Sequence, residues 1–306
     1  MNNHDKHEPK ILPGTVWAGA LLALWTLPAT AADYEHQVNA DPHGAVEIVG
    51  VSGQIQVTGW DRPEVRVEAH LDSDSERVDV TSEPGRTVVK VVLPARVVFG
   101  SGASADLHVS VPRGAKLDIS SVSAAVNVTA VQGDQHLRSV SGAIMTEFAG
   151  DEAELKTVSG DLHLRGSGKA AKIRANTISG DLHLEHAAGD VEATTVSGGL
   201  EAHVDPAGMV RVRTTSGSIN FEGALASGAQ LEAQTLNGEL HVRARGAGGY
   251  QYEASTFSGH IANCFNVEAE RTSQYGPGER LHGTLGAGDA RVYIKSLSGA
   301  VNLCDH

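Results

Sequence analysis

A three-residue phrase, an apolar residue or threonine followed by Ser-Gly, returns along this chain at a nearly fixed interval. It occurs as Val51-Ser52-Gly53, Val140-Ser141-Gly142, Val158-Ser159-Gly160, Ile178-Ser179-Gly180, Val196-Ser197-Gly198, Thr215-Ser216-Gly217, Phe257-Ser258-Gly259 and Leu297-Ser298-Gly299. Val122-Ser123-Ala124 and Leu236-Asn237-Gly238 are degenerate copies. From Ser123 to Ser258 the steps are 18, 18, 20, 18, 19, 21 and 21 residues, and the last step, to Ser298, is 40. A period of about 20 residues belongs to a solenoid, in which each repeat is one coil stacked on the last.

Aligning the copies on serine sorts the chain into columns. Three and five residues after it stand Leu162 and Leu164, Leu182 and Leu184, Ile219 and Phe221, Leu240 and Val242. Four and six before it stand Leu155 and Ala153, Ala175 and Ile173, Val212 and Val210, Ile294 and Val292. Both sets alternate with polar residues, the period of a strand with one buried face. Each coil is therefore predicted to hold two short strands joined by a bend at Ser-Gly, where glycine tolerates a positive φ. Short Gly/Ala-rich loops such as Gly166-Ser167-Gly168 and Ala187-Ala188-Gly189 close the far side. Two residues before each serine runs a hydroxyl column, from Ser121 and Ser139 through Thr157, Thr177 and Thr195 to Ser296. Parity sends it inward, yet the adjacent column of Val158, Ile178 and Val196 also calls for the interior. A bend must separate the two.

Outside the repeats the pattern changes. Residues 1–31 read as a secretory signal: Lys6 and Lys10 in a polar start, an apolar stretch from Val16 to Leu27, and Ala29-Thr30-Ala31 before a cut at Ala32. The start carries no net positive charge and Pro13-Gly14 interrupts the apolar run, so an uncleaved anchor is the alternative. Residues 32–115 read as an N-terminal β cap region, with strands over 45–60, 64–71, 78–80, 86–93 and 105–111 that protect the solenoid edge. Residues 116–306 hold the solenoid repeats. Glu270–Gly288 departs from the pattern and is expected to carry a loop. The fold class is thus all-β, a parallel β-helix or solenoid with coils of about 18–21 residues plus that cap.

The formal net charge of −13 opposes nucleic acid and anionic membrane surfaces as partners. The only cysteines, Cys264 and Cys304, each follow their serine by six residues and share a coil position. Two coils apart they would stand roughly 10 Å from each other, too far for a disulfide. If the irregular segment between them bulges out, they become neighbours and can bridge.

Thr157-Val158-Ser159-Gly160-Asp161-Leu162-His163-Leu164 comes with an upstream Val-Pro-Arg-Gly-Ala-Lys-Leu (Val111 to Leu117) and a late Tyr-Gly-Pro-Gly segment that runs from Tyr275 to Gly286. Together these resemble the bacterial "putative adhesin" β-strand-repeat family, a domain of unknown function, over about residues 34–306. The resemblance implies a secreted or envelope-associated β-solenoid with no assigned catalytic residues, so no family site carries over.

Outward positions two and four after serine give the best candidate patch: Asp161 and His163 beside Asp181 and His183. Imidazoles and carboxylates about 5 Å apart on a rigid sheet suit a divalent metal; they equally suit a solvated sheet face. A serine repeated in every coil is a turn residue rather than a strained, singular nucleophile. A polysaccharide lyase or hydrolase needs clustered carboxylates and aromatic platforms, and the repeats contain no Trp. The expected function is a non-catalytic exported scaffold or adhesin-like module, periplasmic, cell-surface or secreted. It would need no cofactor and would bind an envelope protein or surface glycan. A carbohydrate-active β-helix enzyme and an envelope-stress regulatory partner are the alternatives.

Overall fold

The computed structural model describes residues 32–71, 77–92, 104–274 and 276–305. The expected leader, residues 1–31, and Tyr275 of the late motif lie outside the described residues. Among the described residues the chain forms twenty-four strands and no helix. Parallel ladders join corresponding strands of successive coils, for example Leu162–Leu164 against Leu182–Leu184, as in a β-solenoid.

The inward columns are buried as their alternation requires. Leu155, Leu162, Leu164, Ala175, Leu182, Val212 and Phe221 all lie in one continuous core. Large and small residues complement one another along a column, as in Leu155, Ala175, Ala193, Val212, Ala233 and Ile294. This alternation fills the narrow interior along that column.

The bend settles the conflict between the hydroxyl and apolar columns. The hydroxyls go in. Thr177 and Thr195 donate to the carbonyls of Gly160 and Gly180 in the neighbouring coil, each at 3.2 Å. Ser139 and Thr157 accept the N–H of Gly142 and Gly160, three residues on in their own coil. These buried hydroxyls are thereby satisfied and lock the corner, whereas the Ser296 hydroxyl at the far end of the column is buried without a partner. The apolar residue that follows is turned out: Val158, Ile178 and Val196 are exposed, contrary to the interior expected for them. The chain reverses at this corner, so strand parity does not carry across it.

The glycine of the phrase also has a different cause from the expected one. Only Gly53, Gly238 and Gly299 of the column have positive φ. The shared constraint is close approach. A β-carbon on Gly160, Gly180 or Gly217 would lie 2.0 to 2.2 Å from a glycine carbonyl oxygen of the adjacent coil. At these three glycines stacked coils touch backbone to backbone and leave no room for a β-carbon.

The stacking order of coils departs from chain order at both ends. The Ser52 coil lies between the coil made by Arg86–Val92 and Ala105–Pro112 and the Ser123 coil. The Ser298 coil, last in sequence, lies between the Asn237 and Ser258 coils. Each terminal coil is thus one place in from its end. Antiparallel strands cover the outermost coils: Glu64–Leu71 and Arg77–Glu83 at one end, Glu279–Gly286 at the other. They occupy edges that would otherwise offer unpaired backbone to another chain. The segment expected to carry a loop, Glu270–Gly288, also supplies this second cover through Glu279–Gly286. Residues 31–306 form one compact unit. The boundary drawn at 115/116 is therefore no break in packing, since the Ser52 coil stacks directly on the Ser123 coil.

Intercalation also brings the cysteines together. The Ser298 and Ser258 coils are direct neighbours, and Cys264 and Cys304 are joined by a disulfide with Cα atoms 5.0 Å apart. No bulge is needed.

Cross-coil ion pairs line the outer face of the strand before the bend. Glu232 accepts from Arg211 Nε at 2.9 Å and Arg213 at 2.7 Å, both on the preceding coil. These bonds, Arg211 first, hold the Glu232 carboxyl below its ordinary 4.5. A carboxylate held low stabilises the fold above that value and loses its contribution as pH falls through the lowered one. The group is partly solvated, so Glu232→Gln should cost at most about 1 kcal/mol at neutral pH. The variant's deficit should vanish in acid. Urea midpoints of parent and variant across pH 2.5 to 7 (roughly the carboxylate range) check this; a deficit unchanged in acid removes the ionic explanation.

Candidate functional site

The strand after each bend presents an outward polar column. Its register runs Met145, His163, His183, Glu201, Asn220 and His241. His163 and His183 stack face to face, centroids 4.6 Å apart and planes within 6°. His183 Nδ1 lies 3.3 Å from a Glu201 carboxylate oxygen, and His203 Nε2 lies 3.9 Å from the other. A second outward column pairs opposite charges coil to coil, Glu147 beside Arg165 and Arg165 beside Glu185. Between the two columns lies a shallow depression of about 290 Å³, lined by Met145, Glu147, His163, Arg165, His183 and Glu185 among others.

The four residues of the candidate patch do not converge on a metal. Asp161 Oδ1 accepts the backbone N–H of Asp181 at 2.9 Å, and Asp181 Oδ1 accepts that of Gly199 at 2.7 Å. The aspartates therefore act as rungs at the corner, each tying its coil to the next, while the histidines sit on the strand beyond. Among the described residues no group of three or more His, Cys, Asp or Glu side chains could hold a metal ion. The repeated serines are exposed turn residues: Ser123 and Ser141 hydroxyls donate to carbonyls of the adjacent coil at 3.2 and 3.4 Å. What remains is a polar face of imidazole, carboxylate and amide groups on a stiff sheet. Such a face can hydrogen-bond hydroxyl or amide groups of a ligand.

The larger feature missed at the level of sequence is the apolar corner column. Its signal was present: nearly every copy places a valine, isoleucine, leucine or phenylalanine where the turn itself demands none.

A family model described as Toastrack DUF4097 matches residues 44–222. No curated protein sequence matches the chain. Among solved structures, a "putative adhesin" from Parabacteroides merdae is 10% identical, with 89% of this chain and 95% of that one covered and a TM-score of 0.40. A "putative lipid binding protein" from Parabacteroides distasonis is 13% identical, with 89% and 96% covered and a TM-score of 0.33. A "putative cell adhesion protein" from Clostridium sporogenes is 8% identical, with 89% and 99% covered and a TM-score of 0.21.

Proposed function

The chain belongs to the Toastrack DUF4097 family, and from that premise we propose that it is an exported, non-catalytic binding module that presents its outward polar face to an envelope protein or surface glycan. The observation that carries this reading is the continuous column from Met145 to His241, repeated coil on coil. Rigid stacking holds many weakly binding groups at fixed spacing, so a polymeric or repetitive ligand gains avidity from simultaneous contacts. Three carboxylates near the face are already engaged, Asp161 and Asp181 with backbone and Glu201 with histidine.

The test is a glycan array together with capture from an envelope fraction, using residues 32–306 and a variant carrying His163→Glu and His183→Glu. A ligand bound by the parent and lost by the variant, with unchanged melting, is the expected result. Absence of any ligand, or depolymerisation of polysaccharide by the parent, overturns the reading.

A further inference from the structure

The corner residues form a ridge that this proposed function leaves unused. In stacking order it runs Val51, Val122, Val140, Val158, Ile178, Val196, Thr215, Leu236, Leu297 and Phe257. Eight of these, from Val122 to Val196 and from Leu236 to Phe257, are 41% to 69% exposed. At about 4.8 Å per coil the stripe is about 43 Å long. Folding does not require its apolar character. Thr215 takes the same corner, and the local bonds are backbone ones, such as Val140 N–H to Val122 O at 3.2 Å. An exposed apolar stripe of this length, broken only at Thr215 and half-buried at Val51, marks an interface on a folded protein.

We propose that the ridge pairs with the ridge of a second copy of this chain, the two solenoids lying side by side and parallel, like coil against like coil. Two observations select this occupant. The first is period. A rigid partner touching the whole stripe must repeat at the strand spacing, and a second copy does so by construction. The second is charge. One flank, two residues before the ridge, carries Lys295 together with Arg138, Lys156 and Arg213, of which Arg138 and Lys156 also pair with Glu154 and Arg213 with Glu232 in their own chain; the other, three residues after it, carries Asp161, Asp181 and Glu239.

A two-fold axis along the ridge exchanges the flanks, so each basic flank lies over an acidic one. It sets Lys156 of one copy opposite Asp161 of the other, Asn176 opposite Asp181, and Gln234 opposite Glu239. A two-fold axis across the ridge would set basic flank on basic flank and is disfavoured. The net charge of −13 also makes an anionic lipid surface a poor occupant.

Sedimentation equilibrium of residues 32–306 should give a dimer at micromolar concentration. Ile178→Lys with Val196→Lys buries four charges in the dimer and should weaken it roughly a hundredfold or more. Both positions are half-exposed, so the variant's melting should match the parent's. Val122→Cys fixes the orientation. Parallel ridges bring residue 122 of both copies together, and oxidation by copper-phenanthroline should give a covalent dimer. Antiparallel ridges hold these residues more than about 30 Å apart.

A monomeric parent overturns the proposal. A dimer indifferent to the lysine pair, or one in which Val122→Cys fails to cross-link, also overturns it. A monomer that sediments with phosphatidylglycerol vesicles, and loses this with the lysine pair, assigns the ridge to lipid instead. Glycan or protein capture by the polar face is read separately, because neither lysine lies on it.

Discussion

Gly198→Ala should cost about 3 kcal/mol of stability, while Gly199→Ala, one residue on, should change it by less than about 0.5 kcal/mol. A β-carbon on Gly198 would sit 2.2 Å from the carbonyl oxygen of Gly180 and 2.8 Å from its carbonyl carbon. That carbonyl cannot withdraw, because the Thr195 hydroxyl already donates to it at 3.2 Å from within the corner. Nor can Gly198 move outward freely, since its N–H donates to Ser216 O at 3.2 Å. Only the spacing between coils can yield, and every ladder hydrogen bond opposes that. At Gly199 the nearest atom to an added β-carbon is Asp181 Oδ1 at 3.5 Å, an ordinary contact. Neither glycine has a left-handed backbone, so strain cannot separate them. Urea titration of the two variants beside the parent gives the answer. Equal losses would refute the close-approach account of the repeated glycine.

The same corner marks where sequence stops predicting structure. On either side of it, alternation is a sufficient guide. Leu162 and Leu164 are buried because a strand with one wet face leaves them no other place, and spacing alone reveals this. At the bend the backbone turns between Thr157 and Gly160, and the parity rule has no strand to act on. A valine there looks like core because valine usually is, and only the coordinates show it outside. Asp161 and His163 fail for a related reason. Spacing correctly puts both outside, but it cannot say that the aspartate oxygen is taken by the next coil's backbone. Coil order at the ends is harder still. Parallel coils have interchangeable backbones, so chain order is the natural assumption. The exception rests on antiparallel covers such as Glu279–Gly286, whose side chains follow no repeat.

Replacing Cys264 and Cys304 with serine should destabilise the C-terminal end by about 4 kcal/mol, the chain-entropy value for a closed loop of 40 residues. The damage should be local. In a stack, each coil is held by its two neighbours rather than by the whole, so loosening at one end leaves distant coils intact. Hydrogen exchange should therefore rise for amides of Ala290–Ser298, Val301–Cys304 and Gly249–Ser258, and stay unchanged in coils from Ser141 to Ser197. Truncation before Ala290, which also removes Cys304, should likewise raise exchange in Gly249–Ser258 and leave the coils from Ser141 to Ser197 unchanged. It removes the coil that separates the Asn237 and Ser258 coils and strips one parallel ladder from each. Two strand edges then face water, and aggregation should follow. A uniform loss of protection along the solenoid, or none at the C-terminal end, would contradict the intercalated order. The reason lies in the topology: Ala290–Ser298 and Val301–Cys304 lie between the Asn237 and Ser258 coils, and the disulfide ties them to the second of these.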